Sequence, residues 1–427
     1  MRYLYTILFY LALPLVLLRL LWRSRRLPAY RKGWAARFGF CQHRLEKSIW
    51  VHAVSVGEVI AATPLIKKLK ETYPLLPLIV TTTTPTGAER VKAAFGDTVL
   101  HSYIPYDLPF VITRFLNRIH PQILIVMETE LWPNLFVVCH QHHIPIVVAN
   151  ARLSQKSAKG YGAFYMNSLR RDLFTAIDYL AAQSHLDAER FHALGLNKKK
   201  LIVTGNLKFD LELPVDLSQK SEALHDLLGK DRLIWIAAST HPGEEEIILN
   251  AAKIIHKNNP SALLMLVPRH PDRFDAVAAL VKEKGFNIAR RSHDEACTSE
   301  VAVYLGDTMG ELLLLYSVAD VALVAGSLSN VGGHNMLEPA ALHKPILTGP
   351  ILYNFAEISQ LLLDAKGMMI VNNANDIAEQ VLRLFNQPES RKAMSDNAYQ
   401  VVAANRGAID RQLAVIKKVF PVIPACF

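Results

Sequence analysis

Residues able to move protons or hold phosphates stand directly after apolar runs in both halves of this 427-residue chain. In the first half, Ile49–Ala53 leads into Ser55-Val56-Gly57-Glu58, and Ile123–Met127 leads into Glu128-Thr129-Glu130-Leu131-Trp132-Pro133. Leu201–Thr204 leads into Gly205-Asn206-Leu207-Lys208. Two carboxylates on one rim, Glu58 and Glu128, can work as a base and its partner. Lys208 beside them can meet an anionic leaving group. Each also has an ordinary structural explanation. Glu58 in a first helical turn meets the helix dipole favourably. Pro133 suits a first helical turn, which leaves Glu128 at the strand edge and Glu130 better placed to cap. Lys208 can equally be an exposed linker residue.

The second half repeats the pattern. Ser239-Thr240-His241-Pro242-Gly243-Glu244 follows Leu233–Ala237 and offers hydroxyls and amides to an anion, or an ordinary helix start with Glu244 and Glu245 in the first turn. Pro268-Arg269-His270-Pro271 follows Leu263–Val267, and its prolines stiffen a loop from which Arg269 can grip a phosphate. In the run from Ala325 to Pro339, Gly332-Gly333 offers amides to a phosphate. Glu338 can accept hydrogen bonds from a ribose diol. Neither G-x-G-x-x-G nor G-x-x-x-x-G-K-[ST] occurs, which argues against a dinucleotide enzyme and a P-loop NTPase. D-x-D, HExxH and C-x-x-C are absent too, so no metal site is expected. A monophosphate leaving group can be met by Arg, Lys and backbone amides alone.

Such groups need strand ends to stand on. β-branched runs alternate with helical patterns from residue 48 onward, which predicts parallel sheets with crossover helices. Further strands are expected at Leu78–Thr82, Ile146–Ala149 and Tyr179–Ala182 in the first half. In the second they fall at Ile288–Arg290, Ala302–Leu305, Val321–Val324, Pro345–Leu347 and Met369–Val371. A polar stretch at 211–231 separates the two series, and helices are expected at 375–386, 389–404 and 407–418. The fold class is α/β, with two Rossmann-like domains facing a cleft and ligands gathered at the carboxyl ends of the strands.

With 51% hydrophobic and 20% charged residues, the chain is neither disordered, collagen-like nor a polytopic membrane protein. Cys41, Cys139, Cys297 and Cys426 are too scattered for a disulfide scaffold or zinc site and fit a reducing compartment. Nine of the 47 basic residues, and no acid, lie in residues 1–45, leaving 38 basic against 38 acidic residues in the remainder. A basic excess confined to one end argues against nucleic-acid binding. It argues for a membrane anchor. The uncharged run 3–18 has 16 residues, about 24 Å as helix, against a hydrocarbon core of about 30 Å. Snorkelling of Arg19 would let Leu20, Leu21 and Trp22 complete a span, with Pro14 tolerated inside it. The basic cluster at 23–37 is then expected on the cytoplasmic side with Met1 outside, facing anionic membrane lipids. A helix lying in the interface is the alternative.

Taken in order, these motifs resemble the 3-deoxy-D-manno-octulosonic acid (Kdo) transferase family. The likeness rests on His52-Ala53-Val54-Ser55-Val56-Gly57-Glu58, Glu128–Pro133, Gly205–Lys208, Pro268-Arg269-His270, Asp307-Thr308-Met309-Gly310-Glu311 and Gly332–Pro339. It implies a B-type glycosyltransferase fold, with a membrane anchor (1–22), a basic segment (23–45), an acceptor domain (46–212), a donor domain (213–405) and a last helix (406–427) returning to the acceptor domain. It also implies CMP-Kdo as donor, a lipid A precursor as acceptor, no cofactor and no metal, at the bacterial inner membrane with the catalytic body in the cytoplasm. Carried over by position, Glu58 is the expected base, and Glu128 and Lys208 assist the transition state. Pro268, Arg269, Met309, Gly310, Glu311, Asn335, Met336, Leu337 and Glu338 bind CMP. The alternatives are a B-type transferase with a UDP-sugar donor and a nucleotide-sugar epimerase of similar fold.

Overall fold

The computed structural model describes residues 1–26, 28–162 and 167–421. Unit 1 comprises Met1–Asp210 and the chain from Arg406 onward; unit 2 is Leu211–Asn405. Each unit is built on a seven-stranded sheet in which every pairing is parallel.

In unit 1 the strands are β1 (Ser48–His52), β2 (Leu78–Thr82), β3 (Leu100–Tyr103), β4 (Pro121–Met127), β5 (Ile146–Ala151), β6 (Tyr179–Ala182) and β7 (Leu201–Val203), ordered β3-β2-β1-β4-β5-β6-β7. In unit 2 they are β8 (Ile234–Thr240), β9 (Leu263–Pro268), β10 (Ile288–Arg290), β11 (Val303–Leu305), β12 (Val321–Val324), β13 (Ile346–Thr348) and β14 (Met368–Ile370), ordered β10-β11-β9-β8-β12-β13-β14. The central strands are continuous apolar runs because helices cover both faces, so each side chain is buried whichever way it points; β1, β2 and β8 are buried at every residue. The strand order reverses between β1 and β4 in unit 1, and between β8 and β12 in unit 2. At such a point the connections leave in opposite directions and open a crevice at the carboxyl ends.

β3 was not expected from the sequence, and Ile123–Met127 is therefore part of the fourth strand of unit 1, not the third. The segment Leu100-His101-Ser102-Tyr103 forms an edge strand against β2 alone, and only Ser102 is buried. One mostly uncovered edge needs no apolar run, so the pattern carried no signal.

The helix Ala408–Val419 packs Leu413 and Ile416 into the core beside β1, with Val59 and Leu65. Its first turn is held by Asp210, whose carboxylate accepts from the amides of Gly407 and Ile409, both at 2.6 Å. Arg411 donates from Nε to the Thr204 carbonyl at 2.8 Å. Residues 422–427, including Cys426, lie outside the described residues; Cys41, Cys139 and Cys297 are free thiols.

The apolar amino terminus forms one helix, Arg2–Arg26, with Pro14 inside it. Arg37 leaves the expected basic membrane cluster. It is buried, donates to the Thr83 carbonyl at 2.8 Å and lies 4.4 Å from the Tyr103 ring centre.

Asp210→Ala removes both cap bonds of the last helix at once. It should cost about 1–2 kcal/mol, measured by thermal denaturation, and speed proteolysis after Asn405; Asp210→Asn should recover part of the loss. Unchanged stability in the alanine variant would contradict the capping role.

Candidate active site

β1 ends at His52, and after two further residues Ser55 caps the helix Val56–Thr72. Glu58 lies in the first turn, and Ser55 Oγ accepts from its amide at 3.4 Å. The Glu58 carboxylate in turn accepts from the Val54 amide at 2.8 Å and from Ser55 Oγ at 2.9 Å. This reciprocal pair is a variant of a capping box, so the structural explanation of Glu58 holds. It does not exhaust the residue. Only 8% of Glu58 is exposed. Burial pushes its carboxyl up to about 7; the two hydrogen bonds oppose this, and the charges of Glu128 and Glu130 add to it. A carboxyl half-deprotonated near neutral pH is poised to take a proton.

Glu128 follows β4, on the other side of the reversal point, with φ 56°. A left-handed glutamate is uncommon and costs conformational energy, and such residues gather at functional sites. Glu130 does not cap the following helix, contrary to expectation. The amides of Asn134 and Leu135 donate to the Asp107 carboxylate, at 3.2 and 2.7 Å. Glu130 instead accepts from Trp132 Nε1 at 2.9 Å. Asp107 reaches the helix end from a separate loop, which leaves Glu130 near Glu58.

Lys208 sits in the short turn Leu207–Phe209, just past β7. A chain of amides fixes that turn. Asn206 Oδ1 accepts from the Lys208 amide at 3.0 Å, and Asn206 Nδ2 donates to Gln183 Oε1 at 2.9 Å. Gln183 Nε2 donates to the Asn150 carbonyl at 2.9 Å, and Asn150 Oδ1 accepts from the Leu207 amide at 3.0 Å. Asn150 also has a left-handed backbone, φ 53°. Sequence reading missed Asn150 and Gln183. Their one signal was a lone polar residue at the end of an apolar run, Asn150 within β5 and Gln183 just past β6.

In unit 2 the segments expected to bind CMP stand at the ends of β9, β11 and β12, and the expected anion-binding segment after β8. Arg269 is exposed, and its charge acts on Glu338, His241 and His334. Burial raises the Glu338 carboxyl, against a 3.1 Å bond from Asn335 Nδ2 and the Arg269 charge. His241 and His334 stack at 6°, with their Nε2 atoms 2.8 Å apart. One nitrogen must therefore be bare while the other carries hydrogen. Burial, with His241 and Arg269 adding, lowers His334 to about 4.

Three expectations need correction here. Glu244 is no simple first-turn residue: its fully buried carboxylate accepts from the amides of His241, Gly326, Leu328 and Ser329, at 2.9, 2.8, 2.9 and 3.3 Å. Those amides are not free for an anion, and Gly333 N donates to the Gly326 carbonyl at 2.7 Å. The side chains of Pro268, Met336 and Leu337 are buried, so a ligand would meet their main chain only. The Glu311 carboxylate is engaged by Arg291, at 2.8 and 3.1 Å, and by Thr308 Oγ1 at 2.5 Å. What remains open there is the backbone around exposed Met309 and Gly310, whose φ is 87°. A cavity of about 440 Å³ adjoins it, lined in part by Lys220, Arg291, Gly310, Glu311 and Leu314. Any side chain at Gly326 (φ 73°) would be strained, and its Cβ would lie 2.5 Å from the His334 ring, which would have to move. Among the described residues, no group of three or more His, Cys, Asp or Glu is placed to hold a metal ion.

Folded Glu58 keeps its proton up to about 7, whereas the unperturbed group releases it near 4.5. Between these values the native state binds the extra proton, so stability falls as pH rises through that window. Glu58→Gln removes this penalty. The variant should gain on wild type by on the order of 2 kcal/mol between pH 5 and pH 8, read by denaturation at both. An equal difference at the two pH values would contradict the raised carboxyl.

Comparison with known proteins places this geometry. A family model described as 3-deoxy-D-manno-octulosonic-acid transferase matches residues 32–211, and one for group 1 glycosyl transferases matches residues 231–401. The 3-deoxy-D-manno-octulosonic acid transferase of Haemophilus influenzae is 46% identical, over 97% of this chain and 98% of its own. That of Bordetella pertussis is 34% identical, over 95% and 96%. Among solved structures, a UDP-GlcNAc 2-epimerase from Neisseria meningitidis aligns with TM-score 0.57 at 17% identity, covering 86% of this chain and 100% of that one, a likeness of fold alone. Two parallel α/β units of the B-type glycosyltransferase class, matched along nearly their whole length by these transferases, assign the chain to a family: it belongs to the 3-deoxy-D-manno-octulosonic acid transferases.

Proposed function

We propose that this protein transfers Kdo from CMP-Kdo to a lipid A precursor in lipopolysaccharide core synthesis, without a metal and with inversion at the anomeric carbon. The observation that carries the mechanism is the buried Glu58 carboxyl, raised to about 7 at the strand reversal of unit 1. Its deprotonated form takes the proton from an acceptor sugar hydroxyl as that oxygen bonds to the Kdo anomeric carbon. The bond from that carbon to the CMP phosphate oxygen breaks in the same displacement, and CMP carries off the electron pair. Glu128, held in its left-handed conformation, and Lys208 assist the transition state by stabilising the charges that build up during transfer. Arg269 faces the donor phosphate, Glu338 accepts from the ribose hydroxyls, and the main chain at 309–311 meets the cytosine edge. The protein works at the cytoplasmic face of the bacterial inner membrane, where an apolar amino-terminal helix and its basic flank hold it beside a lipid acceptor.

The similarity to epimerase structures favours neither rival, because it extends to the fold alone. Near full-length identity of 46% to a transferase supports transfer over epimerisation. Mass analysis of the lipid after incubation with CMP-Kdo and a tetraacylated lipid A precursor tests the reaction. A mass gain of one or more Kdo units is expected; nucleotide release without a lipid product would overturn it. CMP should raise the melting temperature more than UDP does, and the reverse order would point to a UDP-sugar.

Glu58→Gln should lower kcat by at least about 10²-fold and leave CMP affinity within about twofold. In wild type, kcat/KM should fall about tenfold per pH unit below 7, because only the deprotonated carboxyl accepts a proton. Arg269→Ala should weaken CMP binding by about tenfold or more, seen by calorimetry; unchanged affinity would remove Arg269 from the phosphate site.

A further inference from the structure

The two histidines at the strand reversal of unit 2 are brought together by the loops that carry them. His241 follows β8, and His334 follows the glycine pair after β12. Glu244 ties those loops to each other. Its carboxylate accepts from the His241 amide on one and from the Gly326, Leu328 and Ser329 amides on the other. The bare Cα of Gly326 leaves room for the His334 ring. The rings then lie 5.0 Å apart between centres, with the 2.8 Å hydrogen bond between their Nε2 atoms. His270 packs edge-on against His241 at 5.4 Å.

Charged groups face this pair from neighbouring elements. Arg269 and His270, on the loop after β9, oppose a positive charge on either ring, while Glu244 and Glu245, at the start of the helix Glu244–Asn258, favour one on His241. Both carboxylates are already engaged. Glu244 holds its four amides, and Glu245 accepts from Thr240 Oγ1 at 2.8 Å and from Arg273 at 2.5 Å. Glu338, on the helix Leu337–Ala341, feels the Arg269 charge and accepts from Asn335. Burial, the first cause, and the Arg269 charge lower both histidines, His334 to about 4, so the pair carries no added proton at neutral pH. It is nevertheless built to accept one. The ring that donates through Nε2 has a bare Nδ1, and a proton added there makes the shared bond charge-assisted without breaking it. What the pair needs is a negative charge to offset Arg269, and a phosphate held by Arg269 supplies it. Transfer raises that charge by one. The donor phosphodiester is a monoanion, whereas the phosphomonoester that keeps the electron pair of the broken carbon–oxygen bond is close to a dianion at neutral pH.

We propose that His241 and His334 form a proton-accepting pair beside the donor phosphate, which takes one proton from solvent as the second negative charge of CMP appears. The departing phosphate then meets a second cation next to Arg269, one that was absent while the donor was intact. The proposal rests on the reading of the donor as a CMP-sugar.

Calorimetry of CMP binding to the full chain, at about pH 7 in buffers of different ionisation enthalpy, counts the protons taken up. Wild type should take up about half a proton or more per CMP, and His334→Asn and His241→Asn should each lower that by about threefold or more. Cytidine 5′-methylphosphate, fixed at one negative charge like the donor, should bring in fewer protons than CMP by about threefold or more. This ligand comparison needs no variant and decides the matter where a variant fails to fold. A smaller uptake in wild type, a smaller fall in either folded variant or a smaller difference between the two ligands would overturn the pair. CMP that binds without proton uptake leaves the proposed reaction standing and removes only the pair's role. CMP that does not bind wild type at all overturns the donor assignment, and the pair with it.

Discussion

A carboxyl group taken out of water has two fates: enough donors hold it as a fixed anion, or it keeps its proton to a higher pH. The two units display both fates at equivalent places, each in the first turn of the helix after the first strand in its sequence. Glu244, in unit 2, receives four backbone amides and is spent on joining the turn after β8 to the loop after β12. Glu58, in unit 1, receives one amide and one hydroxyl and has other carboxylates for neighbours, and its carboxyl rises to about 7. The reading of unit 1 as the proton-accepting unit depends on that difference.

The sheets supply the stage. Strands buried on both faces force polar groups to their ends, and the order reversals at β1/β4 and β8/β12 splay the helices just where Glu58, Glu128, His241 and Gly326 emerge. Left-handed backbones at Glu128, Asn150 and Ser239 mark places where a strand end is turned against its preference. At Ser239 the pairing register of β8 with β9 also shifts. The surrounding hydrogen bonds hold these residues there, as the Asn150–Gln183–Asn206 chain does for the turn that carries Lys208.

Periodicity exposed most of the strands, because a parallel strand covered on both faces has to be apolar throughout; Tyr179–Ala182 and Val321–Val324 begin and end where their composition changes. It was silent for β3, an edge with one covered neighbour. Motif reading located Glu58 at a helix start and Pro268-Arg269 at a strand end, since glycine and proline mark those turns in the sequence. It could not say where side chains point. The side chains of Met336 and Leu337 are turned into the core, which leaves their main chain to a ligand; Glu311 is engaged by Arg291; and the amides around Gly326 belong to Glu244. Those outcomes depend on partners 20 or more positions away, as do Asp107 at the helix after Glu130 and Tyr5 upon Asp107. No local pattern encodes them.

The central claim is that burial holds one particular carboxyl, Glu58, protonated until near-neutral pH. Infrared difference spectra recorded as pH is stepped, wild type minus Glu58→Gln, isolate that group. The account predicts a protonated carboxyl band that disappears with a midpoint of about 7. A midpoint at the ordinary glutamate value of about 4.5, or no difference between the two proteins, would contradict it.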